Sequence, residues 1–171
     1  HLEDQSETLV LRLMRGAAIR GLGAMRKVQH LYGMTVLRPL LDVPKERLEA
    51  WVTEQGLEVV SDGSNFDETY DRNLLRRQVL PVLQARWPDT AKSLARSARY
   101  FQEVQSVLEG TAAEDLARCK LPRGEKMLWD LGSVCKLKLL QLDAPRLLNL
   151  LRYWVDINSL QVPSERALRE F

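Results

Sequence analysis

The sequence predicts an α/β chain whose first half mixes helices with short strands and whose second half is almost wholly helical. Three observations carry this. Short extended runs alternate with helical patterns before residue 87. A helical apolar period of about 3.6 residues dominates after it. Between the two stands Trp87-Pro88-Asp89, which interrupts a helix.

The elements follow in order. Residues 3–15 read as a helix closed by Gly16: a polar head (His1, Asp4, Gln5, Glu7, Thr8) precedes an apolar body at Leu9, Val10, Leu11, Leu13 and Met14. RGAAIRGLGAM is small, glycine-rich and basic, and reads as a loop. MTVLRPLL reads as a short strand that Pro39 ends. In VPKERLEAWVTEQG, Pro44 suits a first helical turn, Leu48, Trp51 and Val52 share a face, and Gly56 suits the C-terminal end. LEVVSDGSN is extended and runs into a turn at Asp62-Gly63-Ser64-Asn65.

RNLLRRQVLPVLQARW predicts a helix that kinks or breaks at Pro81. A longer helix is expected from about Thr90 to Cys119, with Ala91, Leu94, Ala98, Phe101, Val104 and Leu108 as its buried stripe. LPRGEKM reads as a turn and MLWDL as a brief extended piece. LLQLDAPRLLNLLRYWV reads as a core helix, and Ser164 with Glu165 opens a last one. The four tryptophans are expected in the core or at its edges, the cysteines as small apolar fillers, and His30 on the surface without a partner.

Composition narrows the function. The chain has 171 residues, 45% hydrophobic and 28% charged, enough for a core and for solubility. No apolar run approaches the ~20 residues of a membrane helix. Two cysteines, Cys119 and Cys135, are too few for a disulfide framework and point to a reducing, cytosolic setting. With two histidines besides, a zinc site is disfavoured. The net charge of +2 is uninformative, but its distribution is not. Seven basic residues lie between Arg72 and Arg99 (Arg72, Arg76, Arg77, Arg86, Lys92, Arg96, Arg99) against one acid, Asp89. Glu58, Asp62, Asp67, Glu68 and Asp71 form an acidic group just upstream.

Two constellations carry chemistry. On a helix, Asp4, Glu7 and Thr8 fall on one side. Carboxylates there suit Mg²⁺ or a general base, and they equally suit the helix dipole. The arginines at 72, 76 and 77 present fork-shaped donors that suit phosphate, and they equally suit ion pairs with Asp62, Asp67, Glu68 and Asp71. Lys92, Arg96 and Arg99, at i, i+4 and i+7, extend the basic track along the long helix.

Taken in order, His1-x-x-Asp4-Gln5-x-Glu7-Thr8, Arg15-Gly16, Gly21-Leu22, Arg38-Pro39-Leu40-Leu41, Asp62-x-Ser64-Asn65, Arg72-Asn73-x-x-Arg76, Leu80-Pro81 and Arg86-Trp87-Pro88 resemble the tRNA(Ile)-lysidine synthetase family of N-type ATP pyrophosphatases. No single motif is specific; the ordered set is. The resemblance implies residues 1–83 as the C-terminal part of a parallel-sheet PP-loop domain (adenine nucleotide alpha hydrolase-like), and residues 84–171 as a mostly α-helical tRNA substrate-binding domain. It implies ATP and Mg²⁺ as cofactors. The implied partners are L-lysine and the isoleucine tRNA with a CAU anticodon, with a homodimer as a further expectation and no membrane. The implied setting is cytoplasmic. The implied reaction adenylates C2 of the wobble cytidine, C34, and lets the lysine ε-amine displace AMP.

Carried over by position, His1, Asp4 and Gln5 are the catalytic candidates, with Asp4 also the metal candidate. Arg72, Asn73, Arg76 and Arg77, with Lys92, Arg96 and Arg99, are the phosphate or tRNA candidates. Asp62 and Asn65 form the supporting turn. Glu3 stands where the family has an Asp, and the family's Ser-Gly-Gly-x-Asp-Ser ATP loop does not occur in this sequence. The chain therefore reads as a fragment beginning inside the nucleotide domain, expected to form no lysidine alone. Two other readings compete: a non-catalytic RNA-binding module on the Arg72–Arg99 track, and a metal-dependent hydrolase on His1, Asp4 and Glu7.

Overall fold

A computed structural model of the chain describes residues 1–31, 33–60, 67, 69–120 and 134–158. The expectations placed on Asp62, Asn65, Glu68, Trp129 and Ser164 lie outside them. The described residues form α1 (Leu2–Met14), α2 (Ile19–Leu22), β1 (Val28–Leu31), β2 (Met34–Leu37), α3 (Lys45–Glu54), α4 (Asp71–Leu74), a π-helical turn (Leu75–Val79), α5 (Leu80–Arg86), α6 (Thr90–Cys119), α7 (Lys136–Leu139) and α8 (Ala144–Ile157). The chain makes two compact units, 1–105 and 106–171, so the division falls inside α6. The punctuation at Trp87-Pro88-Asp89 instead separates α5 from α6.

In the first unit, α1 buries part of its polar head together with Leu2 and Leu9 and exposes its last turn. Its polar head is buried at Gln5, Ser6 and Glu7, while Leu13 and Met14 are exposed. Such burial is tolerable only when each polar group finds a partner; Ser6 Oγ donates to the carbonyls of Leu2 and Ala91, each at 3.5 Å. Gly16, at φ +68, ends the helix in the left-handed region that a side chain resists. The apolar core gathers Leu9, Ala24 and Ala98, with Leu22, Leu94 and Phe101 packed on it. Ala95 joins the buried stripe of α6, whereas Val104 is exposed. Small residues bring α6 close to the 21–25 segment: a Cβ on Gly23 would meet Gln102 Cγ at 3.0 Å.

The glycine-rich segment expected as a loop contains one helical turn, α2. MTVL is a strand as expected, but its partner β1 was not foreseen. The two run antiparallel, with Val28 opposite Leu37 and Leu31 opposite Met34. Among the described residues this hairpin is the whole paired sheet. His30 is exposed but partnered, its Nδ1 lying 3.0 Å from Thr35 Oγ1 on the facing strand. Trp51 and Trp87 are exposed and not part of a core. The helix expected to break at Pro81 adjusts just before it: residues 75–79 widen into a π turn. Proline lacks an N–H and its ring crowds the carbonyl four residues back, which a wider turn accommodates.

The second unit has its own core of Leu116, Cys119 and Leu150, with Val134, Leu139, Leu142, Tyr153 and Trp154 against it. Polar clamps set the register of α8 on α6. Arg146 holds the buried Asp115 along one guanidinium edge, Nε donating to Oδ2 at 2.9 Å and Nη2 donating to Oδ1. Asn149 donates to the Leu108 carbonyl at 2.7 Å. Asp143 caps α8 by accepting from the Arg146 backbone N–H at 2.9 Å. Asp143→Ala is expected to cost about 1 kcal/mol, read by urea unfolding.

Candidate functional site

The two constellations singled out in the sequence meet. Arg72 and Arg76, four residues apart, lie over the polar head of α1. Arg72 Nε donates to Glu7 Oε2 at 2.7 Å, and its Nη2 donates to Asp4 Oδ1 at 2.8 Å. Arg76 grips Glu7 along one guanidinium edge, Nε donating to Oε1 at 2.7 Å and Nη2 to Oε2 at 2.9 Å. Its Nη2 is also 3.6 Å from Asp4 Oδ1.

The burial is graded. The Glu7 side chain is 1% exposed, Asp4 24%, Arg76 36% and Arg72 44%. Glu7 is thus a buried anchor with both oxygens occupied, and the outer edges of the guanidiniums remain toward water. Hydrogen bonding to Glu7 raises the Arg76 pKa above its ordinary value against the opposing effect of burial, so Arg76 stays charged.

Among the described residues, the acids pairing with Arg72 and Arg76 are Asp4 and Glu7. Asp71 instead pairs with Arg15 at 3.0 Å. Asp67 Oδ1 accepts from the Thr69 backbone N–H at 3.0 Å and from its hydroxyl at 2.7 Å, which holds the Asp67 carboxyl below its usual value. Asn73 is buried and donates to the Asp67 carbonyl at 2.8 Å.

Gln5 uses its amide on the backbone. Its Oε1 accepts from Met25 N and its Nε2 donates to Met25 O, both at 2.8 Å. Two further clamps act on the same segment: Arg12 Nη1 donates to the carbonyls of Gly21 at 2.7 Å and Ala24 at 2.8 Å, and Gln102 Nε2 donates to those of Gly23 and Met25. Together they hold Ala24 at φ 48, a strained value for a residue with a side chain. His1 Nδ1 lies 3.0 Å from Glu3 Oε2. Glu3 Oε2 also accepts the Lys45 N–H at 2.9 Å and so meets an unpaired donor at the start of α3.

On α6, Lys92 pairs with Asp89 at 2.9 Å, which raises the lysine pKa and lowers that of the aspartate. Arg99 Nη1 is 3.8 Å from Asp42 Oδ1, and Arg96 is exposed. Arg77 lies in the π turn. Sequence reasoning noticed Glu7 for its position on α1 but did not place it among the site residues of the favoured reading. Its signal was the i, i+3 spacing from Asp4. Arg12 and Gln102 were missed, and nothing in their local sequence marks them.

Comparison with known proteins shows what the chain resembles. Residues 1–83 match the PP-loop domain. Over nearly all of its length the chain is similar to proteins named tRNA(Ile)-lysidine synthase. That of Escherichia coli O157:H7 is 38% identical over 168 residues, 98% of this chain and 37% of the relative. That of Chromobacterium violaceum is 41% identical over 172 residues, 100% of this chain and 38% of the relative. That of Haemophilus influenzae is 36% identical over 171 residues, 99% of this chain and 38% of the relative. Residues 1–83 thus belong to a PP-loop domain, the ATP-binding class to which the ordered motifs pointed. The chain as a whole is a homologue of the tRNA(Ile)-lysidine synthases and spans a little over a third of the length of the relatives it matches. No helix among the described residues is long and apolar enough to cross a membrane.

Proposed function

We propose that this chain forms part of a ligase that converts the wobble cytidine, C34, of the CAU-anticodon isoleucine tRNA to lysidine. ATP adenylates the base at C2 with release of pyrophosphate, and the ε-amine of L-lysine then displaces AMP. The observation that carries the reading is the similarity, at 36–41% identity along nearly the whole chain, to proteins with that name. The cluster of Asp4, Glu7, Arg72 and Arg76 supports it chemically.

In this reading Glu7 is a positioning residue. It fixes two guanidiniums so that their outer edges meet phosphate oxygens without reorganising. Asp4 is the carboxylate of the cluster with exposed surface, so it suits an incoming lysine ammonium. It also suits a single coordination position on Mg²⁺. Among the described residues no group of three or more His, Cys, Asp or Glu could hold a metal. One carboxylate is nevertheless enough where nucleotide phosphates supply other ligands. Bound there, the ion would offset phosphate charge. Gln5 shapes the floor of the site by fixing the Met25 backbone, and Asn73 ties the start of α4 to Asp67. His1, at the edge of the cluster, is proposed beside the reacting base. The supporting-turn role of Asp62 and Asn65 remains part of the proposal.

The test is lysine incorporation into CAU isoleucine tRNA with ATP. The 171-residue chain is expected to give none, because its sequence has no Ser-Gly-Gly-x-Asp-Ser phosphate loop. A chimera in which it replaces the matching stretch of the E. coli O157:H7 relative should incorporate lysine. Arg72→Ala in that chimera should lower kcat/KM by about 100-fold or more. A folded chimera that binds the tRNA yet incorporates no lysine would overturn the proposal.

A further inference from the structure

The second unit contains a pair of groups that the proposed reaction does not use. Lys120 and Val134 form an isolated antiparallel bridge. The next pair outward in that register is Cys119 and Cys135, and the Cys135 N–H donates to the Cys119 carbonyl at 2.8 Å. The two cysteines therefore oppose one another across a backbone hydrogen bond. Residues facing each other in an antiparallel register sit with Cα atoms roughly 4.5–5.5 Å apart, inside the span of about 4.4–6.8 Å that a disulfide bridges. Both are free thiols; Cys119 is buried and Cys135 is half-buried.

We propose that Cys119 and Cys135 form a dithiol–disulfide site, whose oxidation by a small-molecule disulfide covalently joins the end of α6 to the start of α7. The environments assign the order of attack. Burial, reinforced by the charge of Asp115, pushes the Cys119 thiol up, so it is the poorer first nucleophile. The more accessible Cys135 thiolate attacks one sulfur of glutathione disulfide and expels one glutathione thiolate, which takes up the proton that Cys135 released. The Cys119 thiolate then attacks the Cys135 sulfur of the mixed disulfide and expels the second glutathione. Two protein thiols are oxidised, one glutathione disulfide is reduced to two glutathione, and no other oxidant is needed.

The experiment equilibrates the full chain in glutathione redox buffers, natively and in concentrated urea, followed by acid quench and intact mass. The native chain should lose the mass of two hydrogens, stay monomeric on a non-reducing gel, and do so in buffers about tenfold more reducing than the unfolded chain requires, because folding raises the effective concentration of one thiol at the other. Cys119→Ala should stop with one glutathione attached. Cys135→Ser should resist modification, with its remaining thiol buried. Equal midpoints for native and unfolded chain, or a native wild type that halts at the glutathione adduct, would overturn the proposal. Because the readout is mass alone, it stands or falls separately from lysidine synthesis.

Discussion

Glu7→Gln is expected to destabilise the first unit by about 3 kcal/mol, a large loss for a substitution that keeps shape and volume. The wild-type carboxylate is almost fully buried and accepts from Arg72 Nε, Arg76 Nε and Arg76 Nη2. A glutamine keeps one acceptor, carries no charge to offset the two guanidiniums, and turns an N–H₂ toward at least one of them. The figure sits at the low end for a broken buried pair because both arginines are more than a third exposed and can turn toward water. A double-mutant cycle isolates the interaction. Arg76→Met alone leaves Glu7 with one partner, but combined with Glu7→Gln it should cost at least about 1 kcal/mol less than the sum of the two single changes. Urea midpoints of the four proteins decide it. A Glu7→Gln protein within about 1 kcal/mol of wild type would show that the cluster does not hold the α1–α4 contact.

The same cluster shows where reading the sequence succeeds and where it stops. Both bounds of α6 and the glycine that ends α1 were legible, because helical period and end signals are local. The partners of Arg72 and Arg76 were not. Glu7 lies 65 and 69 residues away along the chain, whereas five acids stand within some fifteen residues upstream of Arg72 and drew attention by proximity. Charge counting measures nearness in sequence, and folding replaced it with nearness in space. Strand β1 escaped notice because Val28-Gln29-His30-Leu31 is defined by its pairing with β2 more than by its own composition. Gln5 was found by resemblance, but its grip on Met25 depends on a backbone segment 20 residues on. Trp51 and Trp87 show the complementary error: side-chain type suggested burial, and period names a face without saying what covers it.

On the proposed tRNA reading, neutralising Lys92, Arg96 and Arg99 together to glutamine is expected to weaken tRNA binding far more than changing Arg76, although both lie on the basic track. The reason is what each charge already faces. Arg76 is compensated at short range by Glu7 and Asp4. The α6 residues are exposed; Lys92 pairs with the surface acid Asp89 and also feels Glu46, and Arg99 stands 3.8 Å from Asp42. Exposed pairs of that kind are worth little and yield readily to a phosphate. If each of the three residues neutralises one phosphate, the triple variant lowers the slope of log K against log salt by about 2 to 3, at roughly 0.9 per contact on a duplex stem. Arg76→Met should change it by less than about 1. Titrating the wild-type chain and both variants over a salt series, with the CAU isoleucine tRNA and an elongator methionine tRNA, separates affinity from selectivity. Phosphate contacts set affinity and orientation but carry no sequence information, so the triple variant should lose affinity for both tRNAs in parallel. A slope unchanged in the triple variant would remove the α6 face from the tRNA path. A loss confined to the isoleucine tRNA would mean that these side chains read bases and not backbone.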